Sequence, residues 1–312
     1  MIKKSVAAIV LILAALFLFF CYGRKDLTLT KMEVKAKYRS PYSKFIQWRG
    51  AEIHYTDDGA GVPVLMIHGF GGSTENFYLL DSLIRDKYRV IRVDLPGFGM
   101  SDFPVQDESH VEYNKVYSDF FDFFLDTLHL DSMYVMGNSL GGLMSWNLAI
   151  EHPDKVKKLV LFNSAGYDMA NVMKSANAVI FRKAYVRMLL NRGLPMFFTQ
   201  RASHRIFYNR SYIDDKTIQR MNDLWNRKGN LPHIFAMANS DQFLDTALIR
   251  KVACPTLIVW GKQDKIVPYN HADRFHRDIK NSREIIYDSC GHVPMMELPF
   301  EVKREVLKFF SE

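Results

Sequence analysis

From Phe45 to the C-terminus, short apolar runs closed by Gly, Pro or Asp alternate with longer amphipathic stretches. The short runs read as strands: FIQWRG and AEIHYTDD first, then VLMIHG, YRVIRVD, SMYVMG, KLVLFNS, TLIVWG and REIIYD. The longer stretches predict helices around Asn76 to Asp86, Val111 to Leu128, Leu140 to Glu151, Tyr269 to Asp278 and Phe300 to Phe310. Central runs such as VLMI and TLIVW are apolar throughout, as strands covered on both faces must be. Strands and helices in turn predict an α/β fold with a mostly parallel central sheet and helices on both faces. From Ala165 to Val252 the strand rhythm is interrupted by helical patterns. This predicts a helical cap over residues 165–252, inserted into a core of residues 45–164 and 253–312.

The N-terminus follows neither pattern. After the opening Met-Ile-Lys-Lys, the run from Val6 to Tyr22 carries no charge. Its length is about that needed to cross a bilayer core of ~30 Å at 1.5 Å per residue. Bulky Phe19 and Phe20 stand where a signal peptidase needs small residues. A retained single-pass membrane anchor is therefore expected over residues 1–25, with a linker over 26–44. Lys3 and Lys4 precede the run, but Arg24, Lys25, Lys31, Lys35 and Lys37 crowd its far side, against a simple N-inside orientation.

A chain of 312 residues with 48% hydrophobic content can bury a large core, which excludes disorder. The net charge of +7 is concentrated between Asp168 and Lys228, where twelve Lys and Arg face four Asp and no Glu. Such a segment serves as a solvated helical surface or rests on anionic headgroups, and the anchor makes the second geometrically natural. Nucleic acid is a poorer partner, because the cations are mixed with Met, Phe and Leu and no nucleic-acid module occurs. Cys21, Cys254 and Cys290 form no C-x-x-C pair, so neither a disulfide framework nor a zinc site is signalled. Neither a metal nor a cofactor is expected.

The candidate chemistry begins at GNSLG, residues 137–141, placed between a strand and a helix. In a G-x-S-x-G turn the serine is forced into a strained conformation and side chains two residues away would collide, hence Gly137 and Gly141. Ser139 is thereby lifted clear of the sheet as a nucleophile, and the Leu140 amide opens the helix beside it as an oxyanion donor. A serine needs a base, and His292 follows the last strand-like run in YDSCGHVPMMELP. Asp264, in VWGKQDKIVP, would orient its imidazole, giving the chain order Ser, Asp, His; Asp168 is the reserve acid. In HGFGGS, Gly69 and the small residues after Phe70 allow the Phe70 amide to face Ser139 as the second oxyanion donor. His68 is expected to buttress this loop and Ser73 to cap the helix after it.

From Phe45 onward these motifs, HGFGG, DLPGFGMSD, GNSLGG, WGKQDKIVP and CGHVPMMELP, resemble the α/β-hydrolase superfamily in order and spacing. The resemblance implies that fold and a serine, histidine and aspartate triad, with DLPGFGMSD as a structural turn. The apolar N-terminus together with GNSLGG is similar to membrane-anchored monoacylglycerol lipases and bacterial lipase and esterase relatives. Carbon–carbon bond hydrolases of aromatic ring-cleavage pathways share the GNS-x-GG elbow, but usually carry Trp after the histidine where this chain has Val293 and Pro294. Epoxide hydrolases and haloalkane dehalogenases place Asp at the nucleophile, and proline-releasing peptidases place Trp after it; neither fits Ser139-Leu140.

Met169, Met173, Phe181, Tyr185, Met188, Met196, Phe197 and Phe198 stock the expected cap with apolar groups suited to an acyl chain, although most of them are expected simply to pack the cap on the sheet domain. The expectation is thus a serine esterase acting on lipid-like or monoacylglycerol-type esters at a membrane. The alternatives are a ring-cleavage diketone hydrolase and an inert binding protein on the same fold.

Overall fold

The computed structural model describes residues 25–105, 111–168, 192–209, 211, 213–240 and 245–312. All of the expected anchor except Lys25 lies outside them, as do Met169 to Met188 of the expected cap. Among the described residues no helix is long and apolar enough to cross a membrane.

Eight strands form one sheet: β1 (Ser43–Trp48), β2 (Ala51–Asp58), β3 (Pro63–Ile67), β4 (Arg89–Val93), β5 (Met133–Asn138), β6 (Val156–Phe162), β7 (Thr256–Gly261) and β8 (Ser282–Tyr287). Their spatial order is β1-β2-β4-β3-β5-β6-β7-β8. The β1/β2 and β2/β4 pairs are antiparallel and every other pair is parallel. The hairpin at the antiparallel edge turns on Arg49 and Gly50, both at positive φ, the backbone that a two-residue turn between right-twisted strands requires.

Successive strand side chains point to opposite faces, and the core is divided accordingly. Leu65, Ile67, Leu159, Leu161, Ile258 and Trp260 join one cluster. Their neighbours Val64, Met66, Val160, Phe162, Leu257 and Val259 join the other. The first cluster is covered by α3 (Tyr113–Thr127), α4 (Leu140–Glu151) and α8 (Asn270–Asp278); the second by α2 (Tyr78–Ile84) and α10 (Pro299–Ser311). Both faces are buried, which accounts for the unbroken apolar runs.

Between β6 and β7 lie α5 (Met196–Ile206), α6 (Asp215–Trp225) and α7 (Asn230–Ala238). This segment is tied to the sheet domain by polar contacts. Trp225 donates to the Gly71 carbonyl at 2.6 Å, and Asn230 to the Gly99 carbonyl at 2.9 Å. Arg227, 2% exposed, bonds the Ser101 carbonyl at 3.2 Å and pairs with Asp102. Arg220 pairs with Glu75. Part of the cationic excess expected to face headgroups is therefore used inside the molecule. Phe197 and Phe198, expected in an apolar interior, are exposed instead.

The N-terminal helix α1 (Lys31–Tyr38) straddles the two parts. It carries a Thr30/Glu33 capping box at its start. Lys31 pairs with Asp102 and Lys35 with Glu52 on the sheet side, while Lys37 and Tyr38 both reach Asp223 of α6.

Candidate active site

β5 and α4 meet at Ser139, whose φ of 55° and ψ of −117° lie outside the ordinary regions for a residue with a side chain. Close packing of the elbow holds it there. A Cβ on Gly141 would stand 2.1 Å from the Ile67 carbonyl oxygen, and one on Gly137 would stand 2.2 Å from that of Gly141. Gly141→Ala is expected to destabilise the fold by about 3 kcal/mol or more, since backbone must move to admit the methyl; the denaturant midpoint measures it.

Ser139 itself is tethered through its backbone. Its N–H donates to the Phe162 carbonyl at 3.0 Å and its carbonyl accepts from Ala165 N–H at 2.9 Å. Gly69 packs against it: a Cβ there would be 3.0 Å from the Ser139 Cβ. The loop that begins at Gly69 and Phe70 is thus seated directly on the serine, with Leu140 at the first position of α4 on its other side.

Asp264 follows β7 and His292 follows β8. His292 Nδ1 and Asp264 Oδ2 are 2.7 Å apart, with the Asp264 side chain fully buried. The carboxylate also accepts Ile266 N–H at 2.7 Å, Val267 N–H at 3.1 Å and Asn163 Nδ2 at 2.7 Å. Every partner is a donor, so the carboxylate holds Nδ1–H and leaves Nε2 free to take a proton. Ser139 and His292 line one cavity of about 600 Å³. Its walls include Phe70, Leu79, Leu143 and Met237, with Glu75 and Arg220 among the polar groups.

The reserve acid does not reach the histidine: Asp168 pairs with Arg274. His68 is a buttress, with Nδ1 2.7 Å from the Gly69 carbonyl and Nε2 accepting Leu95 N–H at 3.0 Å. Burial lowers its pKa against the opposing pull of Asp94 and the Gly69 carbonyl, in keeping with a neutral ring. Ser73 caps the short turn Thr74–Phe77 as expected.

Two asparagines escaped the sequence reading. Asn138 donates to the His292 carbonyl at 2.9 Å, and Asn163 joins Asp264 to the Gly291 carbonyl, the latter at 3.3 Å. Asn163 has a φ of 43°, and its place directly after a strand of the same sheet was the signal that could have found it.

A second serine, histidine and aspartate chain occurs in the DLPGFGMSD region. His54 Nδ1 is 2.7 Å from Asp94 Oδ2 and His54 Nε2 is 2.9 Å from Ser43 Oγ. Asp94 also accepts Thr74 N–H at 2.6 Å and Met100 N–H at 2.8 Å. Burial alone would raise its pKa, but His54, His68 and the Met100 N–H hold it below the ordinary value. Ser43 and His54 do not line the cavity.

Residues 62–299 match the model of a family described as the alpha/beta hydrolase fold. The chain is 30% identical over 271 residues to the 2-hydroxy-6-oxononadienedioate/2-hydroxy-6-oxononatrienedioate hydrolase of Cupriavidus pinatubonensis (strain JMP 134 / LMG 1197), covering 83% of this chain and 90% of the relative. It is 27% identical over 273 residues to the 2-hydroxy-6-oxo-6-phenylhexa-2,4-dienoate hydrolase of Comamonas testosteroni, covering 83% and 91%. A crystal structure of a His-tagged serine hydrolase involved in carbazole degradation (CarC enzyme) superposes with a TM-score of 0.71 at 27% identity, over 86% of this chain and 98% of that one. These relatives overturn the expectation of a monoacylglycerol-type ester: both curated hydrolases are named for hydroxy-oxo-dienoates. The absence of Trp after His292 did not exclude that group. Val293 is buried against the cavity and Pro294 opens the short helix α9 (Pro294–Glu297).

Proposed function

From the premise that this chain belongs to the α/β-hydrolase fold family, we propose that it is a serine hydrolase of carbon–carbon bonds, acting on an acyclic hydroxy-oxo-dienoate of the ring-cleavage type. The observation that carries the proposal is the Asp264–His292 pair, whose imidazole lines the cavity that also holds the strained Ser139. The substrate class is supported by the two curated relatives.

The chemistry follows from the substrate class. Moving the enol proton of a 2-hydroxy-6-oxo-2,4-dienoate to carbon 5 gives a 2,6-diketone. Ser139 Oγ then attacks the carbon 6 carbonyl while His292 Nε2 takes its proton, and Asp264 stabilises the imidazolium. The Phe70 and Leu140 amides hold the oxyanion. Collapse breaks the bond between carbons 5 and 6. The electron pair passes into the dienolate ending at the carbon 2 oxygen, and that oxygen takes the proton from the imidazolium. Water, deprotonated by His292, hydrolyses the acyl-serine, so the net reaction consumes one water and yields a carboxylic acid and a hydroxydienoate.

The test is incubation with 2-hydroxy-6-oxo-6-phenylhexa-2,4-dienoate, followed by loss of its visible absorbance, beside a p-nitrophenyl ester. Rapid decay supports the proposal. Unchanged absorbance from protein whose Ser139 is labelled by a fluorophosphonate overturns it.

A substrate carboxylate needs a cationic partner in the cavity. Arg220 is the only Lys or Arg among the described lining residues, and Glu75 pairs with it there. Arg220→Met is expected to raise KM for the dienoate by about 10-fold to 100-fold, the worth of a charged hydrogen bond. KM for an uncharged ester should stay within about threefold on the same grounds, and steady-state kinetics on both substrates separates the cases.

A further inference from the structure

One buried acid lies outside this scheme. Glu297 closes α9, five residues after His292, and is 1% exposed. Its carboxylate is ringed by donors. Oε1 accepts Gly291 N–H at 2.9 Å and has the Cys290 thiol 3.9 Å away; Oε2 accepts Tyr208 N–H at 2.9 Å and Asn209 N–H at 3.2 Å. Burial pushes its pKa up, and backbone N–H groups of Asn209, Tyr208, Gly291 and Val293 oppose that rise.

These donors come from two segments far apart in the chain. Gly291 immediately precedes His292, whereas Tyr208 and Asn209 follow α5. The segments touch backbone to backbone: His292 N–H donates to the Ile206 carbonyl at 2.8 Å. A Cβ on Gly291 would lie 2.7 Å from the Ile206 carbonyl oxygen and 2.9 Å from Glu297 Oε1. Asn138 holds the His292 carbonyl and Asn163 the Gly291 carbonyl. Glu297 thus accepts from backbone N–H groups of both segments at once, while Asp264 holds the imidazole of the same loop.

We propose that Glu297 is a positioning residue: its carboxylate clamps the Gly291-His292 backbone to the turn after α5 and so fixes the imidazole relative to Ser139. A carboxylate suits the task because it only accepts. Glutamine has nearly the same volume, but its amide brings N–H groups against N–H groups. The proposal rests on His292 as the base and does not depend on which bond the enzyme cleaves.

The test compares the full-length protein with Glu297→Gln and Glu297→Asp. Displacing a catalytic group by about 1 Å costs on the order of 100-fold. In Glu297→Gln, kcat should fall by about 10-fold to 100-fold with KM within about threefold, and fluorophosphonate labelling of Ser139 should slow by the same factor as kcat. A purely structural role would lower the melting temperature and leave the labelling rate of folded protein unchanged, which overturns the proposal. If the glutamine variant does not fold, Glu297→Asp decides: its shorter side chain keeps the charge but cannot span both segments, so wild-type labelling by it also overturns the proposal. Slowed labelling with no dienoate cleavage by the wild type would leave the clamp standing and remove only the substrate class.

Discussion

Ser139→Ala is expected to lower kcat for dienoate cleavage by at least about 10⁴-fold, since loss of a triad nucleophile leaves only binding and the oxyanion hole. Substrate affinity should change little, because the hydroxyl sits at the strained elbow and its loss leaves the cavity walls unchanged. Stopped-flow loss of the substrate chromophore, with binding followed separately by the spectral shift on mixing, measures both. A variant that retained even a tenth of the wild-type rate would end the role of Ser139 as nucleophile.

Asp264→Asn should come close to the same loss, about 10⁴-fold in kcat, for a different reason. All four partners of this carboxylate are donors: two backbone N–H groups, Asn163 and His292. An asparagine must turn its own amide toward one of them. If it faces the imidazole, the ring proton moves to Nε2, and the nitrogen that should accept from Ser139 already carries one. If it faces Asn163 or the backbone, a buried donor is left without an acceptor, at a cost of about 1–3 kcal/mol in stability. The pH profile of kcat together with the melting temperature tells these two outcomes apart.

Much of this architecture was legible in the sequence because it rests on local pattern. Two-sided burial forces unbroken apolar strands, and the elbow needs small residues two positions either side of the serine, so β3 to β7 and Ser139 announce themselves. Asp264 and His292 were found from their places after successive strands. Asn138, Asn163 and Glu297 were not, since their roles depend on partners distant in the chain, as with the Asn138 bond to the His292 carbonyl. Nothing in the spacing of an asparagine indicates such a contact.

The substrate class was misjudged for a chemical reason. Ester hydrolysis and retro-Claisen cleavage use the same nucleophile, base and oxyanion donors, so the triad motifs do not discriminate between them. Discrimination is left to the cavity wall, where Arg220, the cation among the described lining residues, is one of twelve in a segment whose charge gave no clue to which side chains turn inward. The apolar stock of that segment misled in the same way: Phe197 and Phe198 sit at the surface.

The Ser43–His54–Asp94 chain bears on how active sites are recognised at all. Its histidine and carboxylate stand 2.7 Å apart, the same distance as His292 and Asp264, so a geometric template built on that pair would return two hits in one molecule. It lacks a nucleophile raised on a forbidden backbone angle and a void for a substrate to occupy; its carboxylate is a hub that knots a loop. Catalytic competence here belongs to the backbone and the empty space around the residues, and an engineer transplanting the triad would have to carry those across first.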